Sequence, residues 1–173
     1  VELIEAVEET ELVYAYAENY CYMRHAFEMW QRYKTGELGE ARYGEGEYIH
    51  DCSSIWPQIT YGERDHWRNM MPANFYCTHS LGPLLTMTGL RPVKVVGFET
   101  KPSQDLLELG VYHGAGIEMV TLENGAVMKS VHGDLKREPS SINYELYCTK
   151  GMMESGRLSG TSTFNLYKEG DRR

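Results

Sequence analysis

The sequence predicts an α+β fold: a largely antiparallel, open-faced sheet with a few helices over one face. Three observations lead there. Two helix-period stretches lie in the first ninety residues, Tyr20–Lys34 and Thr78–Thr88. Beyond residue 90 the pattern is almost wholly of strand type. There, Glu123-Asn124-Gly125 separates the apolar runs Ile117–Leu122 and Ala126–Val131, and an Asn-Gly pair between apolar runs is a strong hairpin signal. Helices and strands segregated along the chain, rather than alternating, favour an antiparallel sheet with helices layered on it.

Taken in order, Val1–Glu9 carries Leu3, Ile4 and Val7 at helical spacing among glutamates. Leu12-Val13-Tyr14-Ala15-Tyr16 follows at once as a β-like run. A helix and then a strand at the very start reads as the tail of an alternating α/β unit. From Tyr20 to Lys34, Met23, Ala26, Phe27, Trp30 and Tyr33 or Lys34 recur at i, i+3, i+4 and i+7. Gly36 supplies a C-terminal cap and Gly39 closes the turn.

Glu40–Asp51 alternates as a strand. One face takes Ala41, Tyr43, Glu45 and Glu47, and the other takes Gly44, Gly46, Tyr48 and His50. The two glycines leave room above the sheet, either for close approach of a ligand or for a packed helix or bulge. Residues 52–74 lack periodicity but hold Trp56, Trp67 and the polar cluster Glu63-Arg64-Asp65-His66-Trp67-Arg68. A loop of about twenty residues is long enough to suggest a binding role. Thr78–Thr88 reads as a helix with Thr78 as its cap and Gly89 at its end. Strands are expected at Val93–Phe98, on both sides of the hairpin turn, at Ile142–Thr149 and at Thr161–Tyr167.

Composition narrows the function. At 173 residues the chain can bury one domain's core. A net charge of −8 repels phosphate backbones and argues against nucleic acid as a partner. No apolar stretch approaches the 18 or more residues of a membrane span, and the acidic start resembles no export signal. Cys21, Cys52, Cys77 and Cys148 form no C-x-x-C pair, so small buried thiols in a reducing cytoplasm are expected. Thirteen tyrosines suit either a half-buried sheet or a surface that meets a polar, partly flat ligand.

The ionisable residues gather at element junctions. Glu18, in Ala17-Glu18-Asn19-Tyr20-Cys21-Tyr22, stands just before a helix, where it can cap that helix or meet a ligand. Tyr76-Cys77-Thr78-His79 puts a phenol and an imidazole at the entry to the second helix, whose dipole favours the neutral imidazole. His50-Asp51-Cys52 with His66 matches no metal-ligand spacing, and no metal is expected. Gly44-Glu45-Gly46 is no dinucleotide fingerprint, since the third glycine and the strand-to-helix context are missing.

Four segments in order, Ala17–Tyr22, Gly36–Glu40, Gly46–Asp51 and Tyr76–Pro83, resemble the Gfo/Idh/MocA oxidoreductases. They look most like the branch containing the NAD-dependent α-N-acetylgalactosaminidases. The resemblance covers about residues 1–100, and Phe75 stands where the dehydrogenase branch usually carries Asp. It implies a C-terminal, substrate-binding domain like that of glyceraldehyde-3-phosphate dehydrogenase. Residues 1–16 would then be the remnant of a preceding Rossmann domain, and 17–173 the substrate domain, truncated at both ends. It also implies NAD(P) in the full-length protein, with none bound to this chain alone, a sugar or glycoside as substrate, and a homo-oligomer formed through the sheet.

Glu18, Tyr48, Tyr76 and His79 are the implied catalytic set. Asn19, His50, Trp56, Trp67 and Arg68 are added as substrate contacts. The expected chemistry is hydride removal from a hydroxyl-bearing ring carbon, with optional elimination of the glycosidic group, the NAD-dependent exception to two-carboxylate glycosidases. Tyr48 is the candidate C–H base, which requires a lowered phenol pKa. Tyr76 and His79 would handle the hydroxyl and oxyanion, and Glu18 the sugar or leaving group. A non-catalytic carbohydrate-binding or dimerisation domain is the competing expectation.

Overall fold

The computed structural model describes residues 2–10, 12–136, 138–157 and 162–171. The helices are α1 (Glu2–Glu8), α2 (Arg24–Lys34), α3 (Trp56–Ile59), α4 (Thr78–Thr88) and α5 (Gln104–Glu108). The strands are β1 (Ala41–Ile49), β2 (Pro92–Glu99), β3 (Gly116–Leu122), β4 (Val127–Gly133), β5 (Ser141–Cys148), β6 (Gly151–Ser155) and β7 (Phe164–Lys168). They form one sheet in the order β2-β3-β4-β1-β5-β6-β7. Every neighbouring pair is antiparallel except β1 and β4.

Helices α2 and α4 cover one face. Leu84 and Met87 of α4 and Ala26 and Met29 of α2 are buried against Met128, Tyr144, Leu146 and Met153 of the sheet. The glycines of β1 are why α4 lies so close. A Cβ on Gly46 would meet the backbone carbonyl of Ser80, and one on Gly44 would meet Met128 Sδ at 2.6 Å. The room above those glycines is therefore filled by a helix. Below it, Ser80 Oγ and Ser130 Oγ share a buried hydrogen bond of 2.8 Å, which satisfies two hydroxyls at the helix–sheet seam.

Several expectations need correction. Leu12–Tyr16 forms no strand; these residues are exposed and belong to no ladder of the described sheet. A β-prone run becomes a strand only when a neighbour takes up its backbone groups. The Tyr20–Lys34 helix is split: Asn19–Tyr22 is a 3-10 turn, and extended Met23 precedes α2. Phe27, expected on the apolar face, is exposed on α2. A register shift between Ala41 and Tyr43 places Ala41 in the core, on the side opposite to its predicted face.

Helix α4 begins without a side-chain cap from Thr78, its N-cap position being Cys77. Gly89 does end it, at φ 68°. The 52–74 loop contains α3 and two 3-10 turns, Trp67–Met70 and Ala73–Tyr76. Strand β6 and helix α5 were not foreseen. Among the sequence-based expectations, Val1 and Thr161 lie outside the described residues. The described Cys21, Cys52, Cys77 and Cys148 are all free thiols.

Candidate active site

The parallel pair decides where a site can form. Strands β1 and β4 run in register from Tyr43/Val127 to Ile49/Gly133, so their carboxyl ends open together, the usual place for a ligand in sheets with parallel neighbours. A cavity of about 90 Å³ lies there. Tyr48, His50 and Cys52 reach it from the end of β1; His132, Gly133 and Asp134 reach it from the end of β4. Its remaining walls include Trp56, Arg68, Tyr76 and His113.

Beside this cavity, Glu18 and His79 meet although 61 positions separate them. His79 Nδ1 donates to Glu18 Oε1 at 2.6 Å, and both side chains are largely shielded from solvent. Glu18 also accepts from the Tyr20 amide at 3.3 Å. The capping role and the site role thus fall on one carboxylate, which is fixed from both sides. In a neutral imidazole whose Nδ1–H is so committed, Nε2 is the nitrogen left to accept a proton.

Three phenols surround that ring. The His79 centroid lies 4.8 Å from Tyr48, 5.0 Å from Tyr76 and 4.4 Å from Tyr20. Tyr48 and Tyr76 are 6.1 Å apart. Tyr48 therefore projects from the sheet toward α4, on the same side as His79. These distances are well inside the roughly 12 Å that one monosaccharide and its contacts span.

The electrostatics of Tyr48 run opposite to the expectation of a lowered phenol. Burial, with Tyr20 and Tyr76 as neighbours, pushes its pKa above the ordinary value. Burial raises Tyr20 and Tyr76 as well, although the Arg68 charge pulls Tyr76 back. A phenol removed from water without a cation beside it keeps its proton. The Tyr48 hydroxyl and His50 Nδ1 share a hydrogen bond of 3.0 Å, and Cys52 Sγ lies 3.4 Å from the same nitrogen. Burial raises the Cys52 thiol to about 12.

The proposed substrate contacts divide. His50, Trp56 and Arg68 line the cavity. Trp56 is buried and donates from Nε1 to Asn69 Oδ1 at 2.7 Å, which fixes the indole. Asn19 is exposed, and the ring that joins the cluster is that of its neighbour Tyr20. Trp67 is largely exposed and supports Arg68, whose guanidinium carbon lies 4.7 Å over its ring. His113, His132 and Asp134 escaped the sequence reading, and Cys52 entered it as a site residue only in the rejected metal cluster. His132 and Asp134 sit at a strand end, the one available signal, but it means little until β4 is known to pair with β1. Among the described residues, no group of three or more His, Cys, Asp or Glu is placed to hold a metal ion.

No protein-family model matches the chain. It is similar to a glycosyl hydrolase family 109 protein of Saccharopolyspora erythraea, 25% identical over 175 residues, covering 88% of this chain and 38% of that protein. A glycosyl hydrolase family 109 protein 2 of Phocaeicola vulgatus is 33% identical over 88 residues, 47% of this chain and 21% of that protein. The chain thus spans well under half the length of these curated relatives. Among solved structures, an oxidoreductase-like protein of Thermotoga maritima has a TM-score of 0.77 at 14% identity, over 99% of this chain and 50% of its own. A levoglucosan dehydrogenase in complex with NADH and L-sorbose has a TM-score of 0.68 at 16% identity, over 97% and 50%. An inositol dehydrogenase homolog of Azotobacter vinelandii, complexed with NADH and myo-inositol, has 0.62 at 15%, over 88% and 42%. The chain shares the fold of about half of each.

Proposed function

We propose that this chain is the substrate-binding and catalytic portion of an NAD(P)-dependent oxidoreductase acting on a sugar or glycoside, of the branch that contains the NAD-dependent α-N-acetylgalactosaminidases. Residues 1–16 are then the end of a Rossmann domain, and residues 17–173 the substrate domain. The observation that carries the reading is the Glu18–His79 pair, ringed by the phenols of Tyr48 and Tyr76 at the cavity where β1 and β4 end. The partial likeness to glycosyl hydrolase family 109 proteins, and the fold shared with proteins solved with NADH and a polyol or sugar, support it.

The residues present fit the sugar side of the reaction. Gly44 and Gly46, the pair that could have suggested a phosphate cradle, are occupied by α4, and no residue of this chain is assigned to the dinucleotide. When bound, a nicotinamide supplies acceptance of hydride from a ring carbon.

The chain's own groups manage protons and orientation. His79, oriented by Glu18, takes the hydroxyl proton on Nε2; a base so positioned contributes about 10²–10⁴-fold. Tyr76, kept protonated by burial, donates a hydrogen bond to the oxygen that becomes a ketone. If the glycosidic group is then eliminated, the acidified C–H loses its proton to Tyr48, and the glycosidic oxygen departs with the C–O electron pair and takes a proton from solvent. Addition of water followed by return of the hydride to the ring carbon leaves NAD⁺ unchanged. A buried phenol can accept the C–H proton only by releasing its own, and His50 Nδ1, 3.0 Å from the hydroxyl, is the acceptor. Trp56 and Arg68 contribute to the cavity wall.

The test is the protein together with the coding sequence that precedes Val1, which should contain G-x-G-x-x-G and then Glu-Lys-Pro. Incubated with NAD⁺ and a panel of sugars and glycosides, it should either accumulate NADH or release free sugar with NAD⁺ conserved. His79→Ala should lower the rate by about 10²–10⁴-fold. Full activity in that variant would defeat the assignment. The competing reading, a non-catalytic domain that binds carbohydrate or pairs through the sheet, draws on the uncovered face where Val96, Phe98 and Met119 are exposed. It predicts sugar binding or dimerisation with no turnover.

A further inference from the structure

One carboxylate in the cavity wall has no role in the scheme above. Gly133 ends β4 at φ 123°, and a Cβ there would lie 2.9 Å from Ala115 Cα. The chain can make this turn only with glycine, and the turn swings Asp134 into the wall. Asp134 is the sole acid among the residues lining the cavity, since Glu18 is engaged with His79 beside it.

Its carboxylate is held in a fixed orientation. Oδ1 accepts the Cys52 amide at 2.8 Å, which ties the end of β4 to the chain leaving β1. Charged and titratable groups bear on it from both sides: His50, Asp51 and Cys52 from the β1 exit, and His113 from the approach to β3. Burial opposes ionisation and raises its pKa; the Cys52 amide, His113 and His50 act against that rise. A carboxylate in this position has lost hydration that a new donor can replace. The donors most abundant on a polyol are hydroxyls, and a site built to pair with a hydroxyl rejects the analogue lacking it.

We propose that Asp134 is a specificity-determining substrate contact, whose second carboxylate oxygen accepts a hydrogen bond from one ring hydroxyl of the bound sugar. The proposal rests on the reading of this cavity as a sugar site.

Asp134→Asn separates this role from a structural one. The amide oxygen can still accept from the Cys52 N–H, but an NH₂ donor then replaces the oxygen offered to the sugar. The experiment is titration calorimetry of the full chain with methyl α-D-galactopyranoside, methyl α-D-glucopyranoside and the 2-, 3-, 4- and 6-deoxy forms of each. In the unsubstituted protein, removing one particular hydroxyl should weaken binding about tenfold or more, as loss of a hydrogen bond to a charged group does. In Asp134→Asn the parent sugar should weaken by a similar factor, and that one deoxy sugar should bind equally well to both proteins. A purely structural residue would lower every affinity by the same factor, and that result overturns the proposal. So does an Asp134→Asn protein that binds the whole panel unchanged. If the unsubstituted chain binds none of the sugars at millimolar concentration, the sugar-site reading fails and Asp134's role falls with it. Parent binding with no distinguished hydroxyl overturns the Asp134 role alone.

Discussion

Gly46→Ala is the sharpest probe of the link between the fold and the site. The new Cβ would lie 2.7 Å from the carbonyl carbon of Ser80 and closer still to its oxygen, with Leu84 Cδ1 at 3.3 Å. Two of these atoms are helix backbone, so no rotamer change relieves the contact. Alanine's gain in strand propensity, about 0.5–1 kcal/mol, is smaller than the roughly 1–3 kcal/mol or more of overpacking in a well-packed core. The net expectation is a loss of about 2 kcal/mol. For a domain of this size that lowers Tm by about 4–8 °C.

Gly44→Ala is the internal control. Its nearest obstacle is Met128 Sδ at 2.6 Å, the flexible end of a side chain, with Glu145 O at 3.1 Å. It should cost less, about 1 kcal/mol. Urea denaturation of the three proteins measures both values. Because Ser80 adjoins His79, only Gly46→Ala should also disturb the 2.6 Å contact between His79 and Glu18, visible as a shift of the His79 imidazole NMR signals. Equal costs for the two substitutions, or no loss in Gly46→Ala, would refute the argument that α4 packs on bare backbone.

Further outcomes follow from the same geometry. Cys52, raised from 9.0 to about 12 by burial, should resist iodoacetamide at pH 8 in the folded chain, and intact-mass analysis showing fast labelling would contradict it. The sign for stability is that of a raised acid: the Cys52 contribution is intact below pH 9 and declines as pH rises from 9 toward 12, as urea midpoints should show. The uncovered face carrying Val96, Phe98 and Met119 should drive homo-oligomer formation; sedimentation showing a monomer at high concentration, or no change in Phe98→Glu, would count against it. Calorimetric titration of this chain with NAD⁺ should show no binding, and a micromolar Kd would overturn that expectation.

The secondary structure was legible wherever local chemistry dominates. Asn124-Gly125 placed the β3–β4 turn, and Gly89 ended α4, because positive φ is encoded by residue type. The four residues Glu18, Tyr48, Tyr76 and His79 were legible as junction residues and through motif resemblance. That resemblance also placed the four on one pocket, where they do meet; which atoms touch was not legible, since contacts across 61 positions depend on how β1 and α4 pack.

What sequence by itself determined was therefore the α+β class, the two main helices, most strands and a short set of titratable residues. Only the tertiary structure decided that β1 and β4 run parallel, and this brings Tyr48 and His132 side by side and opens the cavity at their ends. It also decided that Leu12–Tyr16 is no strand, because pairing belongs to a partner and not to a propensity. It showed Tyr48 held protonated by burial among other phenols. Burial and strand pairing are properties of distant neighbours, and no local pattern of residues can specify them.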